Sequence, residues 1–284
     1  MRPQESEVHM GRKLNRIGIV SDLHCGSRWG LRPNPHMGDY KVIEANIWLW
    51  ECWKRMIRLW GDLDLLILNG DMIDGIQKRS DSTGLVTPNM SEQTALAIEC
   101  LRPLVAKSKK VIRMTGTPHH ETFHGPLSTL DATFGITRPD APRDMVRDIY
   151  LDGGPEDEEN SIILNVKHNP EGQKTLYLGT VLDRETRWSV LAESAHAIPR
   201  AHFIVQSHIH FASFFGDIVQ KKIIITTPCF CMQQPYAVEK RYYGWKPTIG
   251  GLLLERDDLS TMGWRYVVKD FPLPPLLAET IDDL

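Results

Sequence analysis

Aspartate and histidine recur in five short segments that each follow an apolar run: Ser21-Asp22-Leu23-His24, Asn69-Gly70-Asp71-Met72-Ile73-Asp74, Gly116-Thr117-Pro118-His119-His120-Glu121, Val166-Lys167-His168-Asn169 and Ser207-His208-Ile209-His210. Carboxylate oxygen combined with imidazole nitrogen suits divalent transition metals. The residues are scattered from position 22 to position 210. If each run is a strand, they nevertheless meet at one edge of a sheet, where the carboxyl ends of strands converge. The expected chemistry is hydrolysis at a pair of metal ions.

The elements that must position these groups are legible as periodicity. Ile17-Gly18-Ile19-Val20 and Leu65-Leu66-Ile67-Leu68 are continuous apolar runs, as in strands covered on both faces, and Val111 to Met114 is a third. Between them, Leu49, Trp53, Met56 and Trp60 mark one face of a helix over 41–60, and Ser91 is placed as the cap of a second helix running to Leu104. This alternation predicts βαβ units around a largely parallel sheet. Further strands are expected at Ser161 to Val166, His202 to Gln206, Ile218 to Thr226, Gly251 to Arg256 and Trp264 to Val268, with a helix around Val181 to His196. The last two strands read as a hairpin across Asp257 to Gly263, and this second half suggests a second, antiparallel sheet.

Composition bounds the class. At 284 residues with 42% hydrophobic and 24% charged content, the chain is long enough for one large α/β domain, expected over 16–284 behind a flexible tail at 1–15. A formal net charge of −3 argues against a broad basic face for duplex DNA and leaves room for a local positive groove. Five cysteines, with only Cys229 and Cys231 close together, form neither a disulfide framework nor a paired zinc spacing, and reduced buried thiols are expected. No apolar run is long enough to cross a bilayer and no signal-peptide core is present, so a soluble intracellular protein with no membrane partner is expected.

The order and spacing of the five segments resemble the calcineurin-like metallophosphoesterases, whose pattern runs D-x-H, G-D-x-x-D, G-N-H-D/E, a lone His and G-H-x-H; the match spans residues 16 to 212. The resemblance implies an α/β fold of two packed mixed β-sheets flanked by helices, a four-layer αββα sandwich. It assigns one metal to Asp22, His24, Asp71 and His210 and the other to Asp71, His168 and His208, with Asp71 as the bridge. It also places His120 at the scissile phosphate, able to protonate the leaving oxygen, with Glu121 and Asp74 orienting imidazoles behind the ligands. Two departures stand out. The third segment lacks the family's asparagine ligand, leaving His119, Thr117 or a water to fill that place, and Ser207 stands where the family has glycine.

Each segment alone has an ordinary structural reading, such as a capping or core histidine; the shared order is what singles them out. The implied activity is phosphate-ester hydrolysis by in-line attack of hydroxide carried by a dimetal centre, with manganese favoured among Mn, Fe, Zn and Ni. A phosphodiester is the favoured substrate class. The third segment and Thr227-Pro228-Cys229-Phe230 resemble phage-encoded members, which points toward nucleic acid or nucleotides. Alternatives are a phosphomonoesterase or protein phosphatase, or a scaffold with an impaired metal site. Arg28 and Trp29, in the loop Gly26 to Asp39, are candidates for holding phosphate and stacking on a base, as Lys78 and Arg79 are for phosphate; all four also read as ordinary solvated residues. The aromatic segment Pro228 to Gly250 reads either as a lid or as a packed surface loop.

Overall fold

In the computed structural model, the described residues are 14–33, 44–76, 82–121, 127–136, 146–154, 161–168, 178–217, 219, 221–234 and 246–273. Lys78, Arg79, His36, His124, the acidic run after Gly154 and the aromatics Tyr236, Tyr242, Tyr243 and Trp245 lie outside them.

The apolar runs become strands whose alternate residues face opposite ways. β1 (Arg16–Val20), β2 (Leu63–Asn69) and β3 (Ser108–Met114) are parallel neighbours, and Ile17 and Leu65 turn to one face while Val20, Leu66 and Leu68 turn to the other. The second face is covered by α1 (Glu44–Trp60) and α2 (Met90–Val105). Their apolar stripes bury Leu49, Trp53, Met56 and Trp60 from one helix and Ala97, Leu101 and Leu104 from the other. Trp53 joins the two: its Nε1 donates to the Cys100 carbonyl at 2.9 Å and its ring stands edge-on to Phe230 at 4.8 Å. The cap of α2 is Asn89, whose side chain accepts from the Ser91 and Glu92 amides, so the helix begins ahead of the expected Ser91.

α3 (Leu127–Phe134) packs beside α2, and a second sheet holds β4 (Val146–Asp152), β5 (Ile162–Lys167), β6 (Phe203–Gln206), β7 (Ser213–Asp217) and β8 (Lys222–Thr226). Its order is β4-β5-β6-β8-β7, with β5, β6 and β8 parallel and the two outer strands antiparallel. α4 (Leu178–Ser194) covers its outer face, where Leu182 meets Ile204 and Ile224. The hairpin of β9 (Ile249–Arg256) and β10 (Trp264–Phe271) forms as expected across the turn at 257–263. Its destination differs: β9 pairs with β1, giving β10-β9-β1-β2-β3, so the hairpin extends the first sheet. The second sheet is correspondingly less antiparallel than expected, because a long crossover through α4 returns β6 parallel to β5.

Between the sheets, Ile19, Ile67, Ile112, Leu164, Phe203, Val205, Leu252 and Trp264 form a common core. Leu14 is also buried there, although the sequence reading puts it in the tail; residues 1–13 lie outside the described set. The described residues thus form two mixed five-stranded sheets with helices on their outer faces, the sandwich that the resemblance implies. Among the described residues, no helix is long and apolar enough to cross a membrane. All five cysteines are free and buried.

Candidate metal centre

Asp22 and His24 follow β1, Asp71 follows β2, Thr117 and His120 follow β3, His168 follows β5, and His208 and His210 follow β6. The loops lock together through their backbones: the amides of Asp22, His24 and Cys25 donate to the carbonyls of Gly70, Asp71 and Met72, each at 3.1 Å. The two sheets are tied by Asn69, whose Nδ2 donates to the Lys167 carbonyl at 3.1 Å and to Ser207 Oγ at 2.6 Å.

The backbone itself is strained where the site forms. Among the described residues, eight non-glycine residues have positive φ, and five of them are Asp22, His24, Asp71, His208 and His210. Aspartate and histidine tolerate this region better than most side chains, but each instance still costs about 1–3 kcal/mol unless the surroundings impose it. Alternating left-handed residues, in place of the extended segments expected from spacing, turn Asp22 with His24 and His208 with His210 toward one cavity. Gly70 and Gly116 are required by close approach: a Cβ on Gly70 would meet the His168 ring, and one on Gly116 would meet Asp71 Oδ1.

The side chains gather in overlapping groups. Ligand atoms of Asp22, Asp71, His168 and His208 lie within 4.8 Å of one another, as do those of Asp22, His24 and His210, and those of His24, Asp74 and His120. Asp22 Oδ1 is 3.4 Å from His210 Nε2 and 3.9 Å from both His24 Nε2 and His168 Nε2. Asp71 Oδ2 is 3.0 Å from His168 Nε2, 3.8 Å from His208 Nδ1 and 4.0 Å from His120 Nε2. Asp22 is therefore the carboxylate common to the two metal-like groups, whereas the resemblance gives the shared place to Asp71. The other oxygen of Asp71 is engaged, accepting from the Thr117 amide at 2.7 Å and the Thr117 hydroxyl at 3.2 Å.

Partners behind these residues fix the rings. His24 Nδ1 donates to Asp74 Oδ1 at 2.7 Å, His168 Nδ1 to the Asn69 carbonyl at 2.6 Å and His120 Nδ1 to the Asp74 carbonyl at 2.6 Å. All three leave Nε2 facing the cluster, the arrangement that metal-ligating imidazoles need. The His208 amide donates to Asp22 Oδ2 at 3.1 Å, leaving Oδ1 toward the histidines. Glu121, expected from sequence to orient an imidazole, instead accepts from the Met72 and Gly116 amides, both at 2.8 Å, and so fixes backbone. His119 is exposed and stands outside all three groups, while the buried Thr117 holds Asp71. Arg28 is exposed, and Trp29 packs half-buried against the core, its carbonyl accepting from the Met232 amide. Sequence reasoning missed Gln234, whose Nε2 reaches Asp74 Oδ1 at 3.2 Å; a glutamine pair after an apolar run carries no spacing signal.

Burial opposes charge here, and the opposite charges overcome it. Burial alone would raise the carboxyls of Asp22 and Asp71, yet the neighbouring His168 and further histidines hold both well below the usual carboxylate range. Burial alone would lower His168, yet Asp71 and Asp22 push it up to about 9. His24 moves the other way, lowered by burial and by His120. Two buried atoms at the centre, Asp22 Oδ1 and His168 Nε2, make no well-aligned hydrogen bond: His168 Nε2 faces Asp71 Oδ2 at 3.0 Å, and Asp22 Oδ1 faces imidazole nitrogens at 3.4 Å and beyond. Two such atoms 3.9 Å apart, each offering a lone pair once His168 is neutral and surrounded by further Asp and His ligands, fit divalent metal ions.

A pH prediction follows from His168. Its protonated form stabilises the metal-free fold; that contribution is complete below about pH 6.5, the ordinary histidine value, and is lost as pH rises through about 9. A ligating imidazole must be neutral, so metal binding expels this proton. Mn2+ affinity is expected to climb from pH 6 to about 9, with calorimetry in buffers of different ionisation enthalpy showing proton release. Flat affinity with no released proton would contradict it.

No protein-family model matches the sequence, and no curated protein matches it. Solved structures are similar at low identity. A dimetal phosphatase from Danio rerio covers 86% of this chain and 93% of its own, with 13% identity and a TM-score of 0.40. Vps29 from Entamoeba histolytica complexed with Zn2+ covers 90% and 99%, with 12% identity and a TM-score of 0.39. A metallophosphoesterase from Sphaerobacter thermophilus covers 89% and 88%, with 10% identity and a TM-score of 0.35.

Proposed function

We propose that the protein is a metal-dependent phosphoesterase of the calcineurin-like type. The observation that carries this reading is the convergence of Asp22, His24, Asp71, His168, His208 and His210, with Asp22 Oδ1 and His168 Nε2 at its centre satisfied by no well-aligned hydrogen bond. Asp22, His24 and His210 would hold one ion, and Asp71, His168 and His208 the other, with Asp22 reaching both. Divalent cations there would neutralise the ester's charge and activate the attacking water. The chain's own residues do the rest. Asp74 and the Asn69 carbonyl hold His24 and His168 in orientation, and Thr117 holds Asp71. His120, one-fifth exposed and braced at Nδ1, presents Nε2 toward the cluster and to incoming substrate, where it binds the phosphoryl group and delivers a proton to the leaving oxygen.

A phosphodiester is the favoured substrate, nucleic acid or a nucleotide in particular, with Arg28 on the loop after His24 available for phosphate and Trp29 for stacking. The buried free cysteines support action in a reducing compartment inside the cell. A second reading, a metal-binding scaffold, is favoured by one observation: Thr117 provides no amide ligand where the resemblance implies asparagine.

The two readings separate in one assay. With Mn2+ present, the protein is expected to cleave bis(p-nitrophenyl) phosphate faster than p-nitrophenyl phosphate, and chelation should abolish both rates. Rates unchanged by the chelator would end the phosphoesterase reading, and metal binding without turnover on either ester would favour the scaffold.

A further inference from the structure

Behind the ligands, three charged side chains are buried together: Arg113 on β3, Asp131 on α3 and Glu121 at the end of the third motif. Arg113 Nε and Nη2 donate to the two oxygens of Asp131 at 2.7 and 2.8 Å, and Nη1 donates to Glu121 Oε2 at 3.1 Å. A buried cluster of this kind is weak evidence for stability, because well-packed apolar residues of similar volume often hold a fold as well. What distinguishes it is where the second carboxylate reaches. Glu121 Oε1 accepts the Met72 amide and Oε2 the Gly116 amide. Met72 directly follows Asp71, and Gly116 directly precedes Thr117, whose amide and hydroxyl hold Asp71 Oδ1. One carboxylate therefore grips the backbone on both sides of the Asp71–Thr117 contact. The gap it sets is tight, since a Cβ on Gly116 would collide with Asp71 Oδ1 and come within 3.0 Å of Glu121 Cδ.

We propose that Glu121, held by Arg113 and Asp131, is a positioning residue that fixes how far Asp71 reaches into the metal centre and so sets the affinity for the ion that Asp71 shares with His168 and His208. It touches neither ion nor substrate. This inference rests on the metal-centre reading above.

The test uses the full chain and Glu121→Gln, which keeps the shape but replaces one accepting oxygen with a donor facing an N–H group. Mn2+ titration, the visible spectrum of the Co2+-loaded protein and thermal unfolding in chelator are measured for each form. Wild type is expected to bind two ions; if it binds none, the metal-centre reading fails by itself, before any variant is considered. Glu121→Gln should bind the ion at Asp71, His168 and His208 at least about tenfold less tightly and shift the Co2+ spectrum. Asp131→Asn, which removes the charge facing Arg113 and leaves Glu121 in place, should move both readouts the same way by a smaller factor. A lower unfolding temperature in chelator with unchanged Mn2+ affinity and Co2+ spectrum would overturn the proposal, because the network would then serve only the fold. Failure of both variants to fold in saturating Mn2+ would overturn it as well.

Discussion

Asparagine in place of Asp22 is expected to strip the protein of both ions and to lower its phosphoesterase rate by about 10³-fold or more. The magnitude follows from charge stabilisation by metal ions, worth several kcal/mol, at a tenfold change in rate per 1.36 kcal/mol. The expectation that both ions go, and not one, comes from geometry: Asp22 Oδ1 faces His24, His168 and His210 together. The variant is a clean probe. The substituted side chain would keep an oxygen for the His208 amide, and asparagine tolerates the left-handed backbone that Asp22 adopts at φ 52°. Asp71→Asn should behave differently, weakening the ion near His168 and His208 while leaving the one at His24 and His210 bound. Metal analysis of the purified variants decides it. If Asp71→Asn empties both positions and Asp22→Asn only one, the shared carboxylate is Asp71.

His120→Asn is expected to slow turnover by about 10²- to 10⁴-fold with both ions still in place, the usual weight of a general acid. His120 stands 4.0 Å from Asp71 Oδ2 and is held through Nδ1 by the Asp74 carbonyl, so its Nε2 is the group turned to the substrate side. Burial would lower its pKa, but in the metal-free protein Asp71 and Asp74 raise it above the ordinary value. The loss should depend on the leaving group. It should be small for p-nitrophenolate, which departs without protonation, and large for an alkoxide. An equal loss on both substrates would assign His120 to phosphate binding alone, and a loss of metal would make it a ligand.

Much of this site was legible because its residues sit at the ends of strands that periodicity reveals. Ile17 to Val20 and Leu65 to Leu68 are buried on both faces, and such runs announce both themselves and the loops they feed. Other elements left weaker traces. β7, with Phe214 exposed, Phe215 partly buried and Gly216 beside them, is an edge strand too short to show its alternation. β4 and α3 were not anticipated at all. The docking of the hairpin on β1 was hidden because pairing partners are set by tertiary packing that no local pattern reports. Within the site, residue types were readable but conformations were not. Left-handed backbone at Asp22, His24 and Asp71 is imposed by hydrogen bonds between loops about 50 positions apart in sequence, such as Asp22 to Gly70. The place of the absent asparagine was open in the sequence for the same reason: only the fold shows Thr117 against Asp71 and His119 turned to solvent.

The most direct test of a two-ion centre is a crystal of the wild-type protein soaked in Mn2+, with diffraction recorded at the manganese absorption edge. Two anomalous peaks about 3.5–4 Å apart are expected. One should lie among Asp22, His24 and His210, the other among Asp71, His168 and His208. No peak within that cluster, with manganese bound elsewhere or not at all, would contradict the metal centre and the function built on it.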